Sequence, residues 1–152
     1  MKIEELSIGD WVCAKLAKWE SDDADMTPPL QVKRINGIER HNLYVELFNP
    51  TNNTIEHSAF VEDLIPVPLT PEILEKNGFE PPRKGVMFDT WTYIDVPTFV
   101  SLANSKYTDY AYYMTYEREG LQGLNQMSFP IYNVHELQHA LRLADIEKQI
   151  EV

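Results

Sequence analysis

The chain has 152 residues, 43% hydrophobic and 24% charged, a composition that excludes a disordered or low-complexity polymer and suits one domain or two small ones. Its formal net charge is −11; affinity for nucleic-acid phosphate rests on Lys and Arg, so direct DNA or RNA binding is not expected. The single Cys13 cannot form an intrachain disulfide, no stretch approaches the roughly 18 apolar residues of a membrane span, and the opening MKIEELSIGDW lacks the apolar centre of a signal peptide, so a cytoplasmic location is expected.

In chain order, IGDWVCAKLA predicts a first strand after a Gly-Asp turn. KWESDDADMTPP predicts an acidic loop, whose Asp22, Asp23 and Asp25 lack the glycine and the twelfth-position glutamate of a calcium loop. LQVKRINGIERHNLYVELFN predicts two strands with two candidate turns. Asn36-Gly37 is a hairpin signal, whereas the alternation of Leu43, Val45 and Leu47 after ERHN makes Gly37 a bulge in a longer strand. TIEHSAFVEDLIPVPL predicts a strand, a short turn and an extended proline-bearing segment. Five short strands in so few residues predict a small SH3-like β-barrel over residues 1–69, a fold that by itself does not name a function.

LTPEILEKNGF predicts a helix with Thr70 as N-cap, Pro71 at the first helical position, Glu72 and Glu75 near its positive end, and Gly78 just past its end. VMFDTWTYIDV and DYAYYMTYE predict strands, NQMSFPIY a further one, VHELQHALRL a helix and IEKQIEV a period-2 edge strand. Residues 70–152 therefore form an α+β half with an antiparallel sheet and two short helices, and the whole chain falls in the α+β class, with its two halves expected to pack as one compact unit.

The stretches SIGDWV, RINGI, PVPLTPEILEKNGFE and VHELQHALRL carry a resemblance that covers most of the chain. They resemble a family of short uncharacterised proteins of gut anaerobes and their phages and mobile elements. That family has no assigned activity, so the resemblance implies no catalytic residues; it also implies that Gln or Asn can replace the histidine pair described next.

His135-Glu136-x-x-His139 matches the zinc-peptidase pattern, in which two histidines one helical turn apart bind zinc and the glutamate acts as general base on the bound water. Four features oppose that reading. A third protein ligand usually comes from further along the chain, where the 13 residues after His139 offer Asp145, Glu147 and Glu151, and Asp145, at the spacing of an extended metal motif, has Arg142 where that motif turns on glycine. Arg142 shares the face of His139 and places a fixed positive charge against a dication. Val134, Leu137, Leu141 and Ala144 form the apolar stripe, which predicts that His135, His139 and Arg142 face water. Asn133 and Glu136 also have the spacing of a capping box, a structural task for the glutamate.

His41 and His57 have no Cys, Asp or Glu at ligand spacing and are expected to be ordinary surface histidines. Cys13, between Val12 and Ala14, is expected to be a small core residue. No phosphate loop, nucleophile elbow or dinucleotide fingerprint is present. Tyr110, Tyr112, Met114 and Tyr116 share one face of a strand and are either a half-buried sheet face or a tyrosine-rich binding patch. The sequence thus predicts a non-enzymatic accessory protein that binds a protein partner, with no cofactor and no membrane, and with Tyr110, Tyr112 and Tyr116 as candidate contact residues. The alternatives are a zinc hydrolase built on His135, Glu136 and His139, and an acidic mimic of nucleic acid.

Overall fold

The computed structural model describes residues 6–15, 26–38, 42–82, 89–95, 98–104, 111–117, 125–127 and 129–152. The acidic stretch with Asp22, Asp23 and Asp25, together with His41 and Tyr110, lies outside the described residues. The chain divides into two compact units, residues 1–67 and 68–152. It is an α+β protein whose described residues form antiparallel sheets and two short helices, and no helix among them is long and apolar enough to cross a membrane.

The first unit is a five-stranded sheet of β1 (Trp11–Ala14), β2 (Leu30–Ile38), β3 (Asn42–Asn49), β4 (Thr54–Phe60) and β5 (Leu64–Pro66), in the order β4-β3-β2-β1-β5 with every pairing antiparallel. A 3₁₀ turn, Val61–Asp63, joins β4 to β5. The edges β4 and β5 are not paired with each other, so among the described residues the sheet is not a closed barrel. One face is a cluster that includes Val12, Leu30, Val32, Val45 and Leu47, all fully buried; each such aliphatic side chain contributes about 1.5–3 kcal/mol.

Two bulges adjust which side chains that face receives. Val32 pairs with Leu47 and Arg34 with Glu46, so Lys33 is an extra residue in β2. Val32 and Ile35 are an odd number apart, which in a regular strand sends them to opposite faces; the extra residue lets both pack on the core. Gly37 lies inside β2 opposite Leu43, so Asn36-Gly37 is not the hairpin turn, and the bulge falls upstream of it. A turn at Asn36-Gly37 would set Ile35 against Ile38 and destroy the register in which Ile35 meets Val45. The second bulge is in β4, where Leu47 pairs with His57 but Phe48 pairs with Ile55, leaving Glu56 over. Its carboxylate accepts from the side-chain amides of Asn49 (2.9 Å) and Asn52 (2.7 Å) in the β3–β4 turn. Those bonds, Asn52 first, hold the Glu56 carboxyl below its ordinary pKa.

The turn before β1 explains the SIGDW stretch. Gly9 has φ +92°, a left-handed conformation that suits glycine. Asp10 is completely buried; its carboxylate accepts the Ser7 amide (2.7 Å) while its own amide donates to the Ser7 carbonyl (3.1 Å).

The second unit holds a sheet of β6 (Asp89–Asp95), β7 (Thr98–Asn104), β8 (Tyr112–Glu117) and β9 (Asn125–Gln126) in sequential antiparallel order. Helix α1 (Pro71–Lys76) starts as the sequence predicts, with the Thr70 hydroxyl accepting the Ile73 amide (3.4 Å) and Pro71 at its head. Thr70 and the backbone of Glu72 also hold the exposed Glu72 carboxyl below its usual pKa. The helix ends in a Schellman motif: Gly78, with φ +76°, donates to Glu75 (2.9 Å) and Phe79 donates to Leu74 (3.0 Å).

Helix α2 (Val134–Leu143) ends in the same motif with a different residue, Asp145, in the left-handed position at φ +57°. Asp145 donates to Arg142 (3.0 Å) and Ile146 to Leu141 (2.9 Å). A longer helix would rotate Lys148 and Glu151 onto the stripe of Leu141 and Ala144. Stopping at Ala144 instead lets Ile146 and Ile150 be buried.

Residues 146–152 are not the expected edge strand. Within this segment the backbone of Glu151 is met by a side chain. The Asn77 amide donates to the Glu151 carbonyl (2.7 Å) and its oxygen accepts the Glu151 amide (2.9 Å), reproducing the two bonds a neighbouring strand would make. A third bond, from Asn77 Nδ2 to the Ile73 carbonyl (2.7 Å), fixes the orientation of that amide. Lys76 Nζ donates to the Val152 carbonyl (2.9 Å), and Lys148 Nζ lies 4.0 Å from the centre of the Tyr93 ring.

Candidate functional site

The histidine motif opens α2. Glu136 is the reciprocal half of the predicted capping box: its Oε2 accepts the amides of Asn133 (2.9 Å) and Tyr132 (2.6 Å). A carboxylate engaged with two backbone donors is a helix cap.

The expectation that His135 faces water is overturned. His135 is buried, as is Gln138, while His139 is half-buried and Arg142 exposed. Six of the ten residues of α2 are buried, so its covered arc extends well past the aliphatic stripe. An apolar wheel traces only the aliphatic part of that arc, whereas an imidazole, a flat and mostly carbon ring, can also be buried. The two imidazoles meet edge to face with centroids 5.9 Å apart. Arg142 Nε folds back to the Gln138 carbonyl (3.2 Å). Among the described residues, no group of three His, Cys, Asp or Glu side chains is placed to hold a metal ion. We expect elemental analysis of untagged protein to find no stoichiometric zinc, unchanged in a His135→Ala/His139→Ala variant; one zinc per chain lost in that variant would establish the hydrolase reading instead.

The tyrosine strand is β8. Tyr112 and Met114 are buried, and Tyr116 on the same face is half-buried. The Tyr112 backbone is also bridged to Ile131, with 2.8 Å bonds in both directions. Of the three candidate contact residues, Tyr116 is therefore partly reachable and Tyr112 is enclosed.

Cys13 is half-buried opposite Ile65, and burial raises its thiol pKa, which lowers the thiolate fraction that a nucleophile needs. His57 sits half-buried in β4 opposite Leu47.

A surface that sequence reasoning missed lies on the outer face of β3 and β4. Phe60 pairs directly with Tyr44, and Ile55 with Phe48, so these four side chains share the face opposite Val45 and Leu47. Ile55 is 56% exposed and Phe60 45%, and Tyr44 and Phe48 are half-buried. The bulged Lys33 places its Nζ 4.8 Å from the centre of the Phe48 ring. Glu46 lies between these two cross-strand pairs and meets Arg34 at 3.9 Å. The signal was present in LYVELFN, where the residues alternating with the core set Val45 and Leu47 are Tyr44, Glu46 and Phe48.

No protein-family model, curated protein or solved structure matches the chain. The stretches behind the resemblance coincide with local structure-making elements: the Asp10 turn, the bulged strand β2, and the capped helices α1 and α2.

Proposed function

We propose that this chain is a non-enzymatic cytoplasmic protein, a member of the family it resembles, that binds a protein partner through the outer face of β3 and β4. The observation that carries the reading is the pair of exposed apolar side chains, Ile55 and Phe60, backed across the strand by Phe48 and Tyr44. Aromatic and aliphatic anchors framed by charged residues have the composition of a recognition patch, and edge strand β4 puts them where a partner can approach. With a net charge of −11, the chain steers toward a basic partner. We read the partner as a protein segment with an apolar stripe flanked by Lys or Arg. The strand order β4-β3-β2-β1-β5, with a 3₁₀ turn before the last strand, supports an SH3-like description of the first unit.

An Ile55→Ser/Phe60→Ser variant tests the proposal. Both side chains are exposed, so the fold tolerates their loss, whereas interface anchors each contribute upwards of about 1–2 kcal/mol. Wild type immobilised at low salt should retain a basic protein from a host extract, and the double variant should bind it at least about tenfold more weakly. Retention should also fall with added salt. Equal retention by both forms, or retention insensitive to salt, would overturn the reading.

A further inference from the structure

At the C-terminal end of α1, Asn77 and Lys76 form a cleft that holds the backbone of residues 151 and 152. Asn77 reads one residue's backbone from both sides, accepting the Glu151 amide and donating to the Glu151 carbonyl, with its own orientation fixed on Ile73. Lys76 adds a bond one residue further, to the Val152 carbonyl. Two side chains spaced four apart, Ile146 and Ile150, are buried, while Glu147, Gln149 and Glu151 remain exposed. Among the described residues, residues 147–152 make no backbone ladder with any strand. Beyond α2's end turn the Asn77 and Lys76 side chains hold its last two residues, and neither contact requires the segment to come from the same chain.

The connection to α2 runs through Asp145, a non-glycine residue at φ +57°. The left-handed conformation is disfavoured for an L-residue with a side chain, though less for Asp than for most, and the residues around it, LADIEKQ, are mostly good helix formers. Releasing Asp145 to the right-handed region lets α2 continue and carries residues 146–152 away from their own cleft, where a second copy's cleft can take them. We propose that this cleft is a binding site for residues 146–152 of a second copy, so that two chains exchange the segment reciprocally. The exchange remakes every contact of the closed form and relaxes the strained connection, the conditions under which domain swapping is cheap.

The test uses full-length variants that complement each other. In one, Asn77→Ala disables the cleft and leaves the segment intact; in the other, Ile150→Glu disables the segment and leaves the cleft intact. Wild type, refolded at high concentration and analysed by size-exclusion chromatography with light scattering, should yield a dimer. Each variant alone should yield monomer. An equimolar mixture refolded together should restore a dimer, and isotope labelling of one partner should show it to contain one of each, because that pairing alone retains an intact cleft and an intact segment. A second pair of variants guards against simple misfolding. Asp145→Gly relaxes the closed turn and should lower the dimer fraction, whereas Asp145→Ala favours helix continuation and should raise it by about fivefold. Monomer throughout, dimers from either single variant alone, or parallel responses of the two Asp145 variants would overturn the proposal.

Discussion

Replacing Asn77 with alanine lowers the stability of the second unit by about 2–4 kcal/mol, because both polar groups of Glu151 lose this partner at once and the Ile73 carbonyl keeps only its bond from the Asn77 backbone amide. The Ile73 carbonyl and both polar groups of Glu151 bond to this one buried side chain. Alanine leaves them poorly paired and loosens the segment that buries Ile146 and Ile150. Asn77→Asp discriminates between volume and hydrogen bonding. It keeps the acceptor for the Glu151 amide but loses both donors and turns a carboxylate toward two carbonyl oxygens, so it should destabilise at least as much as alanine. Urea unfolding followed by circular dichroism measures both variants, and a shift below about 0.5 kcal/mol for Asn77→Ala would mean that the amide is not what holds the segment.

The second large effect belongs to Asp10. A fully buried carboxylate that caps the turn before β1 stabilises through a charge-assisted bond to the Ser7 amide. Asp10→Ala should cost about 2–3 kcal/mol in the first unit, since hydrogen bonds to charged groups contribute more than neutral ones. Asp10→Asn, which retains an oxygen acceptor at the same position, should recover part of that loss. If the two variants were equally destabilised, the charge would be the essential property; if neither were, the turn would be held by Gly9 and the Val32 pairing, in which Gly9 donates to the Val32 carbonyl (2.7 Å) and Val32 to the Asp10 carbonyl (2.9 Å).

What was legible in the sequence was local. Thr70, Pro71 and Gly78 bracket α1 because each acts on backbone groups within four residues, and the Asn133–Glu136 box is legible for the same reason. What was not legible depended on partners distant in sequence. Asn36-Gly37 has the chemistry of a tight turn, but the register with Val45 and Leu47 overrides it. IEKQIEV has the alternation of a strand, yet it meets the Asn77 side chain in place of a sheet edge.

The exposed apolar face of β3 and β4 shows a related limit. Period-2 alternation sorts a strand's side chains into two sets without saying which set is enclosed. In β8 the set containing Tyr112 and Met114 turned inward, and in β3 the aromatic set Tyr44 and Phe48 stayed outside. The bulge that leaves Glu56 over aligns Ile55 with Phe48, and no residue in TIEHSAF announces it. The burial of His135 escapes the aliphatic stripe because that stripe marks only part of the arc α2 buries.

Asn77 is followed by Gly78, and an asparagine before glycine is prone to chemical ageing. The glycine nitrogen attacks the asparagine's amide carbon, ammonia leaves, and water opens the resulting succinimide to aspartate or isoaspartate. Here both reactants are occupied: the Asn77 amide is tied to Ile73 and Glu151, and the Gly78 nitrogen donates to the Glu75 carbonyl. The grip that holds residues 146–152 thus also shields a labile bond. Loss of the two Glu151 bonds would leave only the helix-end restraints from Ile73 and Glu75, and the reaction cannot be undone by redocking, so deamidation at this position should rise with the time the segment spends undocked.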